Sequence, residues 1–290
     1  MRVTRKVTGL ALGLLFFGLQ GCTSDRVDEP EINLDQVAYD AADAVNGSRL
    51  YNDFTKSETG FVAPEDANVK LADITDHKDF YRCKQCHAWD QKANAGSYIG
   101  RGPKTGRPDV SSVDLTNMSS EDIRVIFDGI KGTGGGAVDP ARTADGTNPA
   151  LGGNNHPDYG TILSDGQIWD LVKFLKDGAF DTDALYETNI VGTYPTGSVS
   201  FSDIGRDGDA AAGNTFFASK CAMCHGADGT GIDIGGRSIG DFAREKTYEV
   251  QFKVVSGQLG TPMGTTAITI DEMKDLLKAI SDETNYPPLG

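Results

Sequence analysis

Apolar residues recur at helical spacing in separate segments of the chain, and glycine-rich stretches divide these segments. The clearest buried faces follow the i, i+3, i+4, i+7 pattern over 164–175 and 270–280. Ser164 begins the first of these helices, and Ser119, Ser120 and Glu121 predict the start of a helix that ends near Gly132. The pattern also predicts helices over 41–54, 210–219 and 245–256. The chain is therefore expected to be mainly α-helical and rich in loops.

The predicted elements occur twice along the chain in the same order. Each copy has a helix, a Cys-x-x-Cys-His motif, a glycine-rich stretch, a second helix, a loop and a closing helix. The first copy spans 38–178 and carries an insertion at 55–79, and the second copy spans 205–284. Residues 179–204, which include two glycines and a proline, are interpreted as the linker. The sequence thus predicts two small helical domains in tandem.

The N-terminus has the order of a secretory signal, with Arg2, Arg5 and Lys6 before an apolar run over 7–19. The run is too short to span a bilayer permanently. The residues that follow, Leu-Gln-Gly-Cys ending at Cys22, resemble the lipobox of bacterial lipoproteins. That resemblance implies a signal peptide over 1–21, an acylated Cys22, a flexible tether over 22–37 and a lipid-anchored protein of the bacterial cell envelope, periplasmic or on the outer membrane. The alternative is an ordinary signal peptide with an incidental cysteine.

The charge balance is acidic, with 27 basic against 42 acidic residues and a formal net charge of −15. Such a chain is repelled by nucleic acid, so a nucleic-acid partner is not expected. Redox proteins with basic docking patches are the expected partners, although the charge also serves plain solubility.

The remaining four cysteines form two motifs, Cys83-x-x-Cys86-His87 and Cys221-x-x-Cys224-His225, and no cysteine is left for a disulfide. This spacing is the attachment signature of haem c: two thiols on one helical turn bond the porphyrin, and the next residue presents an imidazole to the iron. A zinc site would need four ligands at each motif, and a dithiol redox site would need an α/β pattern. Both are weaker interpretations than two covalently bound haems, whose iron is the metal.

The chain resembles the small monohaem cytochrome c family, duplicated. The likeness is strongest over 205–281, in Cys221-Ala-x-Cys-His-Gly-x-Asp-Gly-x-Gly231 and in Gly260-Thr-Pro-Met-Gly264. In that family a loop methionine is the sixth iron ligand, which implies that Met263 completes the second site. Met223 is too close to its own histidine for this role, and Met273 lies on a helix face where packing is the expected role.

The first copy departs from the family because its corresponding loop contains no methionine. His156, followed by proline, stands where the Met-Pro pair is expected and is assigned as the sixth ligand opposite His87. A surface or capping histidine is the plain alternative. His77 in the insertion and Met118 remain competing ligands, with Met118 better suited to packing. Trp89 and Tyr98 are expected to form a haem wall and propionate contacts or to pack in the core.

Two six-coordinate irons leave no open position for substrate and favour an electron carrier. Methionine ligation raises the reduction potential and a second imidazole leaves it lower, so electrons are expected to run from the His156 site to the Met263 site. The rival hypothesis is a dihaem enzyme, a peroxidase or a small sulfur-compound dehydrogenase, with a subunit of a larger membrane complex as a third alternative. The long loops favour the enzyme hypothesis. Four cationic residues could form a pocket for an anionic substrate, or they could simply be solvated: Arg101, Lys104, Arg107 and Arg142.

Overall fold

The structure is a computed structural model that describes residues 32–57, 82–102, 110–132 and 159–290. Within these residues the chain forms ten α-helices and one two-stranded sheet. The prediction of a mainly α-helical protein is therefore confirmed. None of the helices in these four ranges is both long and apolar enough to cross a membrane.

The helices of the first copy are α1 (Leu34–Ala41), α2 (Ala44–Ser57), α3 (Lys84–His87), α4 (Ile123–Lys131) and α5 (Asp165–Lys173). A π-helical turn, Phe174–Gly178, continues α5. Short 3-10 turns lie at Ala93–Ala95, Thr116–Ser120, Tyr159–Thr161 and Thr182–Ala184.

The second copy contains α6 (Ala210–Lys220), α7 (Ala222–His225), α8 (Ile239–Glu245), α9 (Thr247–Ser256) and α10 (Ile270–Ile280). Between the copies, β1 (Glu187–Val191) and β2 (Ser198–Ser202) pair as an antiparallel hairpin in which Asn189 faces Ser200. The described residues from Leu34 onward belong to one compact unit. The division into two domains at 179–204 stays a prediction.

Helix boundaries agree with the pattern where a capping side chain and an apolar face coincide. Helix α10 begins at Ile270 and ends at Ile280, and Thr269 and Glu272 form a capping box at its start. Ser164 caps α5 in the same way with Gln167. These two predictions are confirmed.

Three local predictions differ from the structure. Asp122 caps α4 by accepting from the backbone N–H of Arg124, so the predicted cap at 119–121 is wrong and those serines belong to a 3-10 turn. The helix predicted over 245–256 begins two residues later, at Thr247, and a separate helix over Ile239–Glu245 precedes it that the pattern did not predict. Helix α1 begins at Leu34, inside the segment interpreted as a tether, and the OH of Tyr39 donates to Asp177 at 2.5 Å.

The first and closing helices of each copy cross at a glycine with the same geometry. A β-carbon at Gly47 in α2 would lie 1.9 Å from the carbonyl oxygen of Asp170 in α5, and one at Gly213 in α6 would lie 1.9 Å from that of Asp275 in α10. The two aspartates also accept a backbone N–H from the start of the partner helix, at 2.8 Å from Asp43 and 2.6 Å from Asp209. Only glycine permits this approach of two helix backbones.

The buried side chains of both copies form a single apolar cluster. Helix α9 of the second copy packs against the first, with the ring of Phe252 4.8 Å from that of Trp89 and 5.9 Å from that of Phe174. The hydroxyl groups of Ser48 and Ser256 are also hydrogen-bonded across this contact. The first motif therefore lies beside a helix of the second copy.

Candidate functional site

The first motif is a single helical turn that begins directly after the insertion. The backbone N–H groups of Cys86 and His87 both donate to the carbonyl of Cys83, at 3.1 and 3.0 Å. The turn ends at Ala88, whose φ of 62° is strained for a residue with a β-carbon. The OH of Tyr51 donates to the Ala88 carbonyl at 2.6 Å in a buried position, which fixes this end of the turn against α2.

The second motif has the same backbone geometry. The N–H groups of Cys224 and His225 donate to the carbonyl of Cys221, at 3.1 and 3.0 Å. Gly226 follows with a φ of 79°, at the position that Ala88 occupies in the first copy. Each motif therefore brings two thiols and one imidazole onto one turn, as covalent attachment of a porphyrin requires.

The thiols are poorly suited to thiolate chemistry. Burial raises the pKa of the Cys83 thiol to about 12 and also raises the pKa of Cys221 above its ordinary value. A dithiol redox centre needs a thiol whose pKa is lowered. In the four described ranges, moreover, no group of three or more His, Cys, Asp or Glu side chains is placed to hold a metal ion. The raised pKa values of Cys83 and Cys221 argue against a dithiol redox centre.

The imidazole of the second motif fits an iron ligand. Its Nδ1 atom is buried and has no hydrogen-bond partner within the part of the chain that the structure describes. Burial lowers the pKa of His225, which keeps the ring neutral. A neutral imidazole retains the lone pair that a metal requires.

Met263 lies in the loop between α9 and α10, and it is half-buried. Its carbonyl accepts the backbone N–H of Gln258 at 3.1 Å, and its N–H donates to Oγ1 of Thr261 at 3.2 Å. The loop returns closely on itself at Gly257, where φ is 72° and a β-carbon would lie 2.5 Å from the Met263 carbonyl oxygen. Helix α10, which follows this loop, packs on α6, which leads directly into the second motif.

The sixth ligand of the first site stays a prediction. His156 and its rival His77 lie outside the described residues, as do Cys22, Lys104, Arg107 and Arg142. Met118 belongs to the 3-10 turn before α4, packs against the apolar cluster and accepts from Lys176 at 3.5 Å through its carbonyl. Arg101 stacks on Tyr98 with its guanidinium 4.4 Å from the ring centroid and donates to Gln85 at 2.6 Å.

The residues between the two cysteines are buried in the first motif, whereas Met223 in the second motif is exposed. Lys84 and Gln85, between the cysteines of the first motif, are 6% and 4% exposed. Met223, between the cysteines of the second motif, is 95% exposed. The Nζ atom of Lys84 lies 4.0 Å from the ring centroid of Trp89, which is itself buried. The first motif is covered from outside, and the second is open.

The sequence did not indicate that helix α9 lies beside the first motif. The residues concerned are Phe252 and Lys253 in the helix and Gln258 just beyond it. Helix α9 is buried on nearly every side, including the polar residues Thr247, Gln251 and Ser256. A helix that is buried on all sides lacks the one-sided apolar stripe by which packing faces are recognised. The available signal was its mixture of aromatic, β-branched and polar residues, in which Glu249 and Lys253 are the only two charged positions.

Residues 210–278 match the family model described as Cytochrome c. The matched residues include the second motif and Met263, and the first motif lies outside them. No curated protein and no solved structure matches the chain. The family match supports a c-type cytochrome with covalently bound haem c and a haem-based role in electron transfer.

Proposed function

We propose that the protein is a dihaem electron carrier in which each Cys-x-x-Cys-His motif holds one haem c. Cys83 and Cys86 would bond the first haem, and Cys221 and Cys224 the second. The observation that carries the proposal is the repetition: the second motif lies within the cytochrome c match, and the first has the same turn with the same hydrogen bonds and donor types. The haems, when bound, supply one-electron redox couples at iron.

The axial ligands in this proposal are His87 and His156 for the first iron, and His225 and Met263 for the second. The neutral, half-buried imidazole of His225 and the internally hydrogen-bonded loop of Met263 support the second pair. Thioether ligation favours the reduced iron more than a second imidazole does. The first site would therefore have the lower reduction potential, and electrons would pass from it to the second.

Acylation of Cys22 would anchor the protein to a membrane of the bacterial cell envelope, facing the periplasm or lying at the outer membrane. Several acyl chains make such an anchor lasting. The formal charge of −15 suits redox partners with basic docking patches.

The direct test is the intact mass and haem content of the full chain, produced with export and haem attachment. We expect two haems per chain, one in the Cys83→Ala/Cys86→Ala variant and one in the Cys221→Ala/Cys224→Ala variant. Redox titration of the wild type should then show two separated steps. One haem per wild-type chain, removed only by the second pair of substitutions, would refute the dihaem proposal while leaving a monohaem cytochrome.

The ligands are tested by repeating the titration on His156→Ala and Met263→Ala. Each variant should shift one step and leave the other in place. If both haems titrate in a single superimposed step in the wild type, the assigned ligand difference is wrong.

A further inference from the structure

The side chain of Trp89 links the first motif to helix α9 of the second copy. Trp89 follows His87 by two residues and is 2% exposed. Phe252 of α9 lies against its ring at 4.8 Å, and Lys253 places its Nζ atom 5.1 Å from the ring centroid. An ammonium group over an indole ring is attracted by the ring quadrupole, and the attraction is stronger where water is excluded.

Lys253 also contacts the loop that carries Met263. Its Nζ atom donates to the side-chain oxygen of Gln258, and Glu249 lies on its other side at 3.9 Å. The side chain of Lys253 is only 18% exposed. The position of this ammonium group is therefore fixed from three sides, by the Trp89 ring, by Glu249 and by Gln258.

Gln258 holds the Met263 loop through its backbone. Its N–H donates to the carbonyl of Met263 at 3.1 Å, and its own carbonyl accepts the N–H of Thr261 at 3.1 Å and the Thr261 hydroxyl at 2.9 Å. The same hydroxyl oxygen accepts the N–H of Met263 at 3.2 Å. A change in the position of Gln258 consequently moves both hydrogen bonds that fix the Met263 backbone.

We propose that Lys253 and Gln258 are positioning residues that hold Met263 against the second haem, with Trp89, two residues after the first motif, as the fixed surface behind them. The inference rests on the proposed role of Met263 as an iron ligand. Groups that orient a ligand control metal sites nearly as strongly as the ligands do. Ligation at the second haem would thus depend on packing beside the first haem.

The test is competition between Met263 and added imidazole in the oxidised, haem-loaded full chain, followed by absorption and electron paramagnetic resonance. Lys253→Met and Gln258→Ala should each strengthen imidazole binding to the second haem about tenfold, a size typical of coupling between sites. Trp89→Leu should act in the same direction. Lys253→Arg, which still donates to Gln258, should stay within about twofold of wild type.

Lys278→Met is the matched control, because Lys278 lies in α10 with its nearest carboxylate, Asp203, 4.0 Å away. It should leave imidazole affinity unchanged. If Met263→Ala strengthens imidazole binding but Lys253→Met and Gln258→Ala behave like Lys278→Met, the positioning role is refuted and the ligand assignment stands. If Met263→Ala itself changes neither spectrum nor affinity, Met263 is not the ligand, and the ligand assignment and the positioning role both fall while the dihaem proposal stands. An effect of Lys253→Met without one of Trp89→Leu would refute the link to the first motif.

Discussion

Replacement of Gly213 by alanine tests whether close helix crossing holds the second copy together. The new β-carbon would lie 1.9 Å from the carbonyl oxygen of Asp275, 2.5 Å from its carbonyl carbon and 2.8 Å from the β-carbon of Ala279. Two of these atoms are backbone and cannot rotate away. Helices α6 and α10 would have to separate by roughly 1 Å to reach ordinary contact distances, which disturbs the packing of a dense interior.

Overpacking of this kind costs about 1–3 kcal/mol, and the better helix propensity of alanine returns about 0.5–1 kcal/mol. Because the clash is with backbone, we expect the upper part of this range, a net loss of about 2 kcal/mol in the free energy of unfolding. For a protein of this size that corresponds to a fall in Tm of roughly 4–8 °C.

Thermal unfolding of the haem-loaded protein, followed by circular dichroism, measures the effect. Gly129→Ala in α4 is the matched control, since no atom of another element among the described residues lies within 4 Å of its added β-carbon. This control should gain about 0.5–1 kcal/mol from helix propensity alone. Gly47→Ala should lose stability like Gly213→Ala. Equal Tm values for Gly213→Ala and Gly129→Ala would show that the crossing tolerates a side chain and that the reasoning is wrong.

Three further predictions follow from contacts at the two motifs. Tyr51→Phe removes the buried donor to the Ala88 carbonyl and should lower the free energy of unfolding by about 1–3 kcal/mol in urea titrations, whereas an unchanged midpoint would contradict the role of this hydrogen bond. Burial, reinforced by the charges of Arg82 and Lys253, lowers the pKa of Lys84 from an ordinary 10.5 to about 6. Between pH 6 and pH 10.5 the unfolded chain therefore binds one more proton than the folded chain, and the free energy of unfolding of the wild type should increase as the pH rises through this range. Lys84→Met should therefore be more stable than the wild type at pH 6, by about 1–3 kcal/mol, and this difference in the free energy of unfolding should shrink towards pH 10. A difference that stays constant from pH 6 to pH 10 would refute the lowered pKa of Lys84. Cyanide or carbon monoxide added to the isolated protein should bind neither haem rapidly, as expected of saturated irons, and fast binding at one haem would favour the enzyme hypothesis.

The sequence predicted those parts of the fold that short-range interactions determine. Helix α10 has a capping box at one end and a regular apolar stripe along it, so both of its boundaries follow from neighbouring residues. The cap of α4 was misplaced because three polar residues precede the true cap, Asp122, and only backbone geometry distinguishes them. The hairpin over Glu187–Ser202 was missed because its strands are only five residues long and mostly exposed, although Val199 and Phe201 alternate with serine in β2.

At the candidate site, too, the sequence predicted the features that depend on neighbouring residues and not the contacts between distant ones. Each motif is one turn of helix, and its chemistry is contained in five consecutive residues. The contact of Trp89 with Phe252, by contrast, joins residues far apart in the chain, and no local pattern indicates it. Sequence reasoning also assigned ligands from a resemblance, and His156 lies outside the described residues, so its assignment stays a prediction.

The unequal burial of the two motifs bears on the order in which the protein matures. Lys84 and Gln85 are nearly inaccessible in the folded chain, so an attachment enzyme that grips the residues between the cysteines could reach them only before this part of the chain has packed. Met223 remains on the surface after folding. Under the dihaem proposal, loading of the first motif would thus have to precede completion of the fold around it.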